Sequence, residues 1–145
     1  MIHKKLTKKV CFPILLLTFF ICFKVCSFSY EPFFYIEKIG SFDLTAYCSC
    51  EKCCGIWAKN RPMDENGEQI VLGASGERLR QGRSVAVDPT VIPYGTALYI
   101  AGRTYVAQDC GGAIKGNKID VYFENHSDAL NFASGEYTVF EIKEK

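Results

Sequence analysis

The stretch Ala107-Gln-Asp-Cys-Gly-Gly-Ala-Ile-Lys-Gly-Asn-Lys-Ile-Asp-Val-Tyr-Phe123 carries two carboxylates, Asp109 and Asp120, separated by a glycine-rich segment. Its second half alternates. Ile119, Val121 and Phe123 fall on one side, and Asp120 and Tyr122 on the other. That two-residue period is the signature of a strand with one buried face. If Asp109 ends one strand and Asp120 lies early on the next, a barrel or sandwich brings both acids to one groove. Gly111 and Gly112 lack a Cβ, so a ligand can approach the backbone between them. Paired acids beside exposed backbone are the equipment of glycoside chemistry.

More short strands lie on either side of this stretch. Ser41–Tyr47 alternates, with Phe42, Leu44 and Ala46 opposite Asp43, Thr45 and Tyr47. Ser84–Val87 stops at Asp88-Pro89, and Ala97–Ile100 turns at Ala101-Gly102 into Thr104–Ala107. Tyr137–Ile142 is the last apolar run. Ser127–Ala133 is the one good helix candidate, with Ser127 as its N-cap and Asp128 in its first turn. Asn60–Gln69 is polar with glycine and proline, which reads as an exposed loop. Six short strands with many glycines and one or two short helices specify an all-β fold, a small closed barrel.

The chain has 145 residues, room for one domain. Residues 1–27 are set apart. Lys4, Lys5, Lys8 and Lys9 precede an apolar run from Val10 to Phe23. That run is short for a membrane span, which needs about 20 residues. It fits the core of an export signal, either cleaved or kept as an anchor. Aromatic residues 28–40 read as a linker, or as a segment that packs on the domain. The domain proper is 41–145.

Five of the 17 basic residues lie in 1–27, so the remainder carries 12 bases against 16 acids, a net charge of −4. A mildly acidic domain does not attract phosphate backbones, which argues against nucleic acid as a partner. Contact with a membrane would run only through an uncleaved N-terminal segment. No cofactor motif is evident.

Asp120 is the sharpest catalytic candidate. A carboxyl beside aromatic surface and partly desolvated keeps its proton and can act as a general acid. The plain alternative is a solvated strand aspartate. Asp109 is either a second working carboxylate or a turn aspartate bonded to its own backbone. Asp88, before Pro89, reads by itself as a strand terminus. Lys115 and Asn117, in the loop between the acids, are placed to meet sugar hydroxyls or simply to face water. His126 reads as a capping or surface residue.

Of eight cysteines, Cys11, Cys22 and Cys26 sit in the export segment and act there as small apolar residues. Cys48, Cys50, Cys53, Cys54 and Cys110 remain. In an exported chain disulfides are the default, with Cys110 joined to one of the other four. The runner-up is a metal site on Cys48, Cys50, Cys53 and Cys54. No histidine partner marks a catalytic cysteine.

Ser84-Val-Ala-Val-Asp-Pro-Thr-Val-Ile-Pro-Tyr-Gly-Thr96 followed by Val106 through Phe123 resembles the three-aspartate (3D) domain of exported Gram-positive proteins. That domain is similar to the catalytic barrel of membrane-bound lytic transglycosylase A. Leu44-Thr-Ala-Tyr-Cys48 and Cys53-Cys-Gly55 look like the opening of its cysteine-bearing members, and the resemblance runs from Phe42 to Ile142. It implies a six-stranded double-psi β-barrel outside the cytoplasmic membrane, acting on the glycan strands of peptidoglycan without a cofactor. Asp88, Asp109 and Asp120 match the three aspartates, with Asp120 as the acid/base and the other two as supports. Thr45, Tyr47, Gly111, Gly112 and Lys115 would line the groove. The chain departs from the family pattern at Cys110 and around Arg61–Gln69. Two other readings stand beside the enzyme: a barrel that grips wall glycan without cutting it, and a small zinc-stabilised interaction domain.

Overall fold

The computed structural model describes residues 33–145. The export segment and residues 28–32 lie outside the described residues. Six strands form the domain: β1 (Phe34–Cys48), β2 (Ser84–Ala86), β3 (Ala97–Ile100), β4 (Arg103–Asp109), β5 (Lys118–Phe123) and β6 (Gly135–Glu144). Two short helices accompany them, α1 (Glu51–Cys54), which runs into a 3₁₀ turn over Gly55–Ala58, and α2 (His126–Leu130). The strands close into a barrel in the order β1-β5-β2-β4-β3-β6. The β1/β5 and β2/β4 pairs are parallel and the rest antiparallel. The closed six-stranded barrel expected from the sequence is present.

The alternation read from the sequence is the alternation of the core. Phe42 and Leu44 of β1, Val85 of β2, Leu98 and Ile100 of β3, Ala107 of β4, Ile119 and Val121 of β5 and Val139 of β6 fill the interior. Each of these strands gives every second side chain to the inside, which is what closes the barrel around a dry centre.

The linker reading of 28–40 needs correction for its described part. Phe34–Gly40 is the first half of β1, and its backbone pairs with β6 from Phe34↔Glu144 to Gly40↔Val139. A bulge between Lys38 and Gly40 bends the strand, with Gly40 at φ 147°. The aromatic composition concealed a strand because Phe34, Tyr35 and Ile36 are exposed rather than alternating in and out. Helix α2 is also shorter than the sequence suggests. Asn125, not Ser127, stands at its N-cap, and no side chain caps it.

One irregularity decides the site. Between β2 and β4 the register runs Val85↔Ala107 and then Ala86↔Asp109, so Gln108 has no partner of its own. This is a β-bulge, which re-aims the residue that follows it. Ala107 points into the core. On an unbroken strand Asp109, two residues on, would point inward as well. The bulge shifts the phase, and Asp109 comes level with outward-facing Ala86.

Candidate active site

β2 lies between β4 and β5, and Ala86 is the shared partner of Asp109 on one side and Asp120 on the other. Two strand spacings place their Cα atoms about 9–10 Å apart. β1 continues the sheet beyond β5, with Thr45 level with Asp120 and Tyr47 level with Tyr122. Register partners face the same side, so Thr45, Tyr47, Asp120, Tyr122 and Asp109 share the barrel's outer face. Ala86 is the smallest side chain among them. It leaves room for Tyr47 to cross from β1 to β4.

Asp120 is half-buried, and its Oδ1 accepts a 2.7 Å hydrogen bond from the Thr45 hydroxyl. Burial raises its pKa. The Thr45 bond pulls the other way, and the negative charge of Asp109 adds to the rise. A carboxyl in this setting stays protonated to higher pH than an exposed one. Asp109 accepts from the Tyr47 hydroxyl at 2.5 Å through Oδ2 and from the Ala74 N–H at 2.9 Å through Oδ1. Burial, then the charge and hydrogen bond of Asp109, push the Tyr47 phenol far above its ordinary value. Tyr47 is therefore a permanent O–H donor. Its ring meets that of Tyr122 edge-on at 5.5 Å.

Asp88 is buried and serves a different purpose. Its Oδ2 accepts from the Gly116 N–H at 2.9 Å, and its Oδ1 accepts from the Thr90 N–H and hydroxyl at 3.1 and 2.7 Å. These bonds, led by that from Gly116, hold its pKa down to about 2. A carboxylate so clamped fixes the 110–117 loop onto the turn after β2. Within that loop Lys115 is exposed and Asn117 donates to the Ser41 carbonyl at 3.3 Å. A Cβ on Gly111 would lie 2.9 Å from Ile114, whereas Gly112 has open space around it.

Sequence reasoning missed the segment Gly73-Ala-Ser75. It lies against β4, where the Ser75 N–H and hydroxyl both donate to the Gln108 carbonyl, at 3.1 and 2.7 Å. A Cβ on Gly73 would fall 2.3 Å from that same oxygen. Only glycine permits the approach that brings the Ala74 N–H to Asp109. The run of small residues Gly73-Ala-Ser-Gly76 was the available signal. Tyr122 also lines a cleft of about 520 Å³, together with Ser49, Gln69, Val71, Arg78, Arg80 and Glu124 among others. It contains none of the three aspartates.

The expected disulfides are not formed among the described residues: Cys48, Cys50, Cys53, Cys54 and Cys110 are all unbridged. The Sγ atoms of Cys48 and Cys53 lie 3.7 Å apart, against about 2.05 Å for a bonded pair. Cys110 is exposed beside Tyr94, whose phenol it pushes up to about 12. The runner-up metal set is altered as well. Cys54 turns away to the Cys48 carbonyl, and His126 takes the fourth place beside Cys48, Cys50 and Cys53.

Residues 83–140 match the family model of the 3D domain, a span that includes Asp88, Asp109 and Asp120. The chain is 36% identical over 99 residues to YabE of Bacillus subtilis, a protein named for cell wall shaping. It is 55% identical over 49 residues to YocH, named as a cell wall-binding protein of the same organism. These matches cover 67% and 33% of this chain but only 21% and 17% of the relatives. Among solved structures, MltA from E. coli is similar at 32% identity over 54% of this chain and 29% of that one, with a TM-score of 0.48.

Proposed function

We propose that the domain is a peptidoglycan lytic transglycosylase with Asp120 as its single general acid/base. The observation that carries this reading is the contrast between two aspartates on one face. Asp120 is half-buried and biased towards its protonated form, while Asp109 is supplied with an O–H and an N–H donor. The match to the 3D domain over the segment that holds them, and relatives named for the cell wall, supply the substrate class. The same names support a site of action outside the cytoplasmic membrane of a Gram-positive cell.

In this mechanism Thr45 holds one oxygen of Asp120, and the other carries the proton. Asp120 donates it to the glycosidic oxygen between N-acetylmuramic acid and N-acetylglucosamine, and the C–O bond breaks. Positive charge develops on the muramic ring, offset by Asp109 and by backbone dipoles of the Gly111-Gly112 loop. Asp120, now a carboxylate, removes the proton of the muramic C6 hydroxyl as its oxygen bonds to the anomeric carbon. The product is a 1,6-anhydro sugar, Asp120 is protonated again, and no water is consumed. A hydrolase would instead direct a carboxylate at water or at the anomeric carbon. Asp88 acts as a positioning residue through Gly116.

The name of YocH favours a second reading, in which the same face binds wall glycan without cutting it. One experiment separates the two. Purified sacculi are digested with the wild-type chain and with Asp120→Asn, and the soluble products are identified by mass spectrometry. The enzyme reading expects anhydro-muropeptides from the wild type and a loss of at least about 100-fold in the variant, the usual reach of general acid catalysis. Sacculi bound but undigested by the wild type would establish the binding reading. Reducing-end products would establish hydrolysis.

A further inference from the structure

We propose that Cys48, Cys50, Cys53 and His126 form a structural zinc site that ties the end of β1 to the start of α2. The four donor atoms lie within 4.8 Å of one another. His126 Nδ1 stands 3.5 Å from each of the three sulfurs, and the Cys48 and Cys53 sulfurs are 3.7 Å apart. A tetrahedral Zn²⁺ with Zn–S of about 2.3 Å and Zn–N of about 2.0–2.1 Å requires N···S edges of about 3.5 Å and S···S edges of about 3.7–3.8 Å. The protein presents the three N···S edges and the Cys48–Cys53 S···S edge at those lengths, with the other two sulfur pairs within 4.8 Å. Hydrogen bonding does not account for the pattern. One ring nitrogen has a single N–H or a single lone pair, and cannot serve three thiols equally at 3.5 Å.

The local fold points the same way. Cys50 stands at the N-cap of α1 and Cys53 within it, and the N–H groups of Cys53 and Cys54 both donate to the Cys50 carbonyl. The resulting Cys-x-x-Cys turn has the spacing of structural zinc sites. Neither α1 nor the 3₁₀ turn after it buries a residue, and Ile56 and Trp57 are 78% and 80% exposed. A helix of four residues has no stability of its own. With so little apolar burial, this segment needs another anchor. Four protein ligands leave no open position, so the metal is structural rather than catalytic. Its ligands end or follow β1 and β5, the strands that carry Thr45, Tyr47 and Asp120. The site therefore secures one wall of the acid face.

The test uses the purified full chain. Elemental analysis is expected to find about one zinc per chain. Cobalt exchanged for it should give the intense visible d–d bands of a tetrahedral thiolate site. Cys53→Ser and His126→Gln should lose the metal, whereas Cys54→Ser and Cys110→Ser should keep it. Should a ligand variant fail to fold, thiol labelling of the unaltered chain decides. Cys48, Cys50 and Cys53 should be protected until a chelator is added, with Cys110 labelled throughout. The proposal is overturned by a chain that takes up no zinc or cobalt, by a disulfide among these cysteines in the isolated protein, or by metal kept in His126→Gln and lost in Cys54→Ser.

Discussion

Asp120 and Asp88 are two aspartates in one domain with opposite perturbations, and the cause is local in each. Asp120 is raised mainly because burial disfavours its charge. Asp88 is lowered because three donors favour its charge. Linkage gives the two opposite signs. A carboxyl raised above its unfolded value of 3.8 adds stability below that value and loses it as pH rises through the higher folded value. A carboxyl lowered to about 2 adds stability above 3.8 and loses it as pH falls towards 2. Urea unfolding of Asp120→Asn and wild type across this range should therefore diverge upwards. The variant should gain on the wild type as pH rises from about 4 to neutrality, because it never has to bury a charge. A difference that stays flat with pH would mean that the Asp120 carboxyl is not raised, and the general-acid assignment would lose its physical support.

At the scale of elements, the informative piece is not a strand. The Gly73-Ala-Ser75 segment reaches Asp109 only because Gly73 lets it lie against the β4 backbone. Gly73→Ala puts a methyl 2.3 Å from the Gln108 carbonyl oxygen, which is backbone and cannot rotate aside. We expect it to destabilise the domain by about 1–3 kcal/mol, the usual cost of overpacking. On the proposed mechanism it should also weaken glycan cleavage by withdrawing the Ala74 N–H from Asp109. Gly112→Ala, with open space around the new methyl, should change stability by no more than about 0.5 kcal/mol. Thermal melts of the two variants check the contrast, and equal melting temperatures would show that the segment yields easily.

At the scale of the molecule, barrel closure depends on more of the chain than the aromatic composition of residues 28–40 suggests. β6 is bonded to β3 on one edge and to β1, from Phe34 to Leu44, on the other. A chain that begins at Ser41 loses the pairs from Phe34↔Glu144 to Gly40↔Val139 and leaves that part of β6 with an open strand edge. Its melting temperature should fall by about 4–8 °C for each kcal/mol lost, and concentration-dependent association should appear in light scattering. An unchanged melt would reduce the first half of β1 to an ornament of the barrel.

Features written at a period of two are legible along the chain alone. The inward set Phe42, Leu44, Ile119 and Val121, the outward set Thr45, Tyr47, Asp120 and Tyr122, and the number of strands all follow from alternation along a few residues. Asp120 could be singled out for the same reason, since its neighbours in sequence set its face. Contacts between distant segments were left to the tertiary structure. Asp109 faces the acid side only because a bulge against β2 breaks the phase after Ala107. Its Ala74 partner is 35 residues away. His126 joins cysteines 73 to 78 residues earlier in the chain, and no local pattern marks it as their partner. Local sterics set which way a side chain points. Which distant groups meet is decided only when the barrel closes.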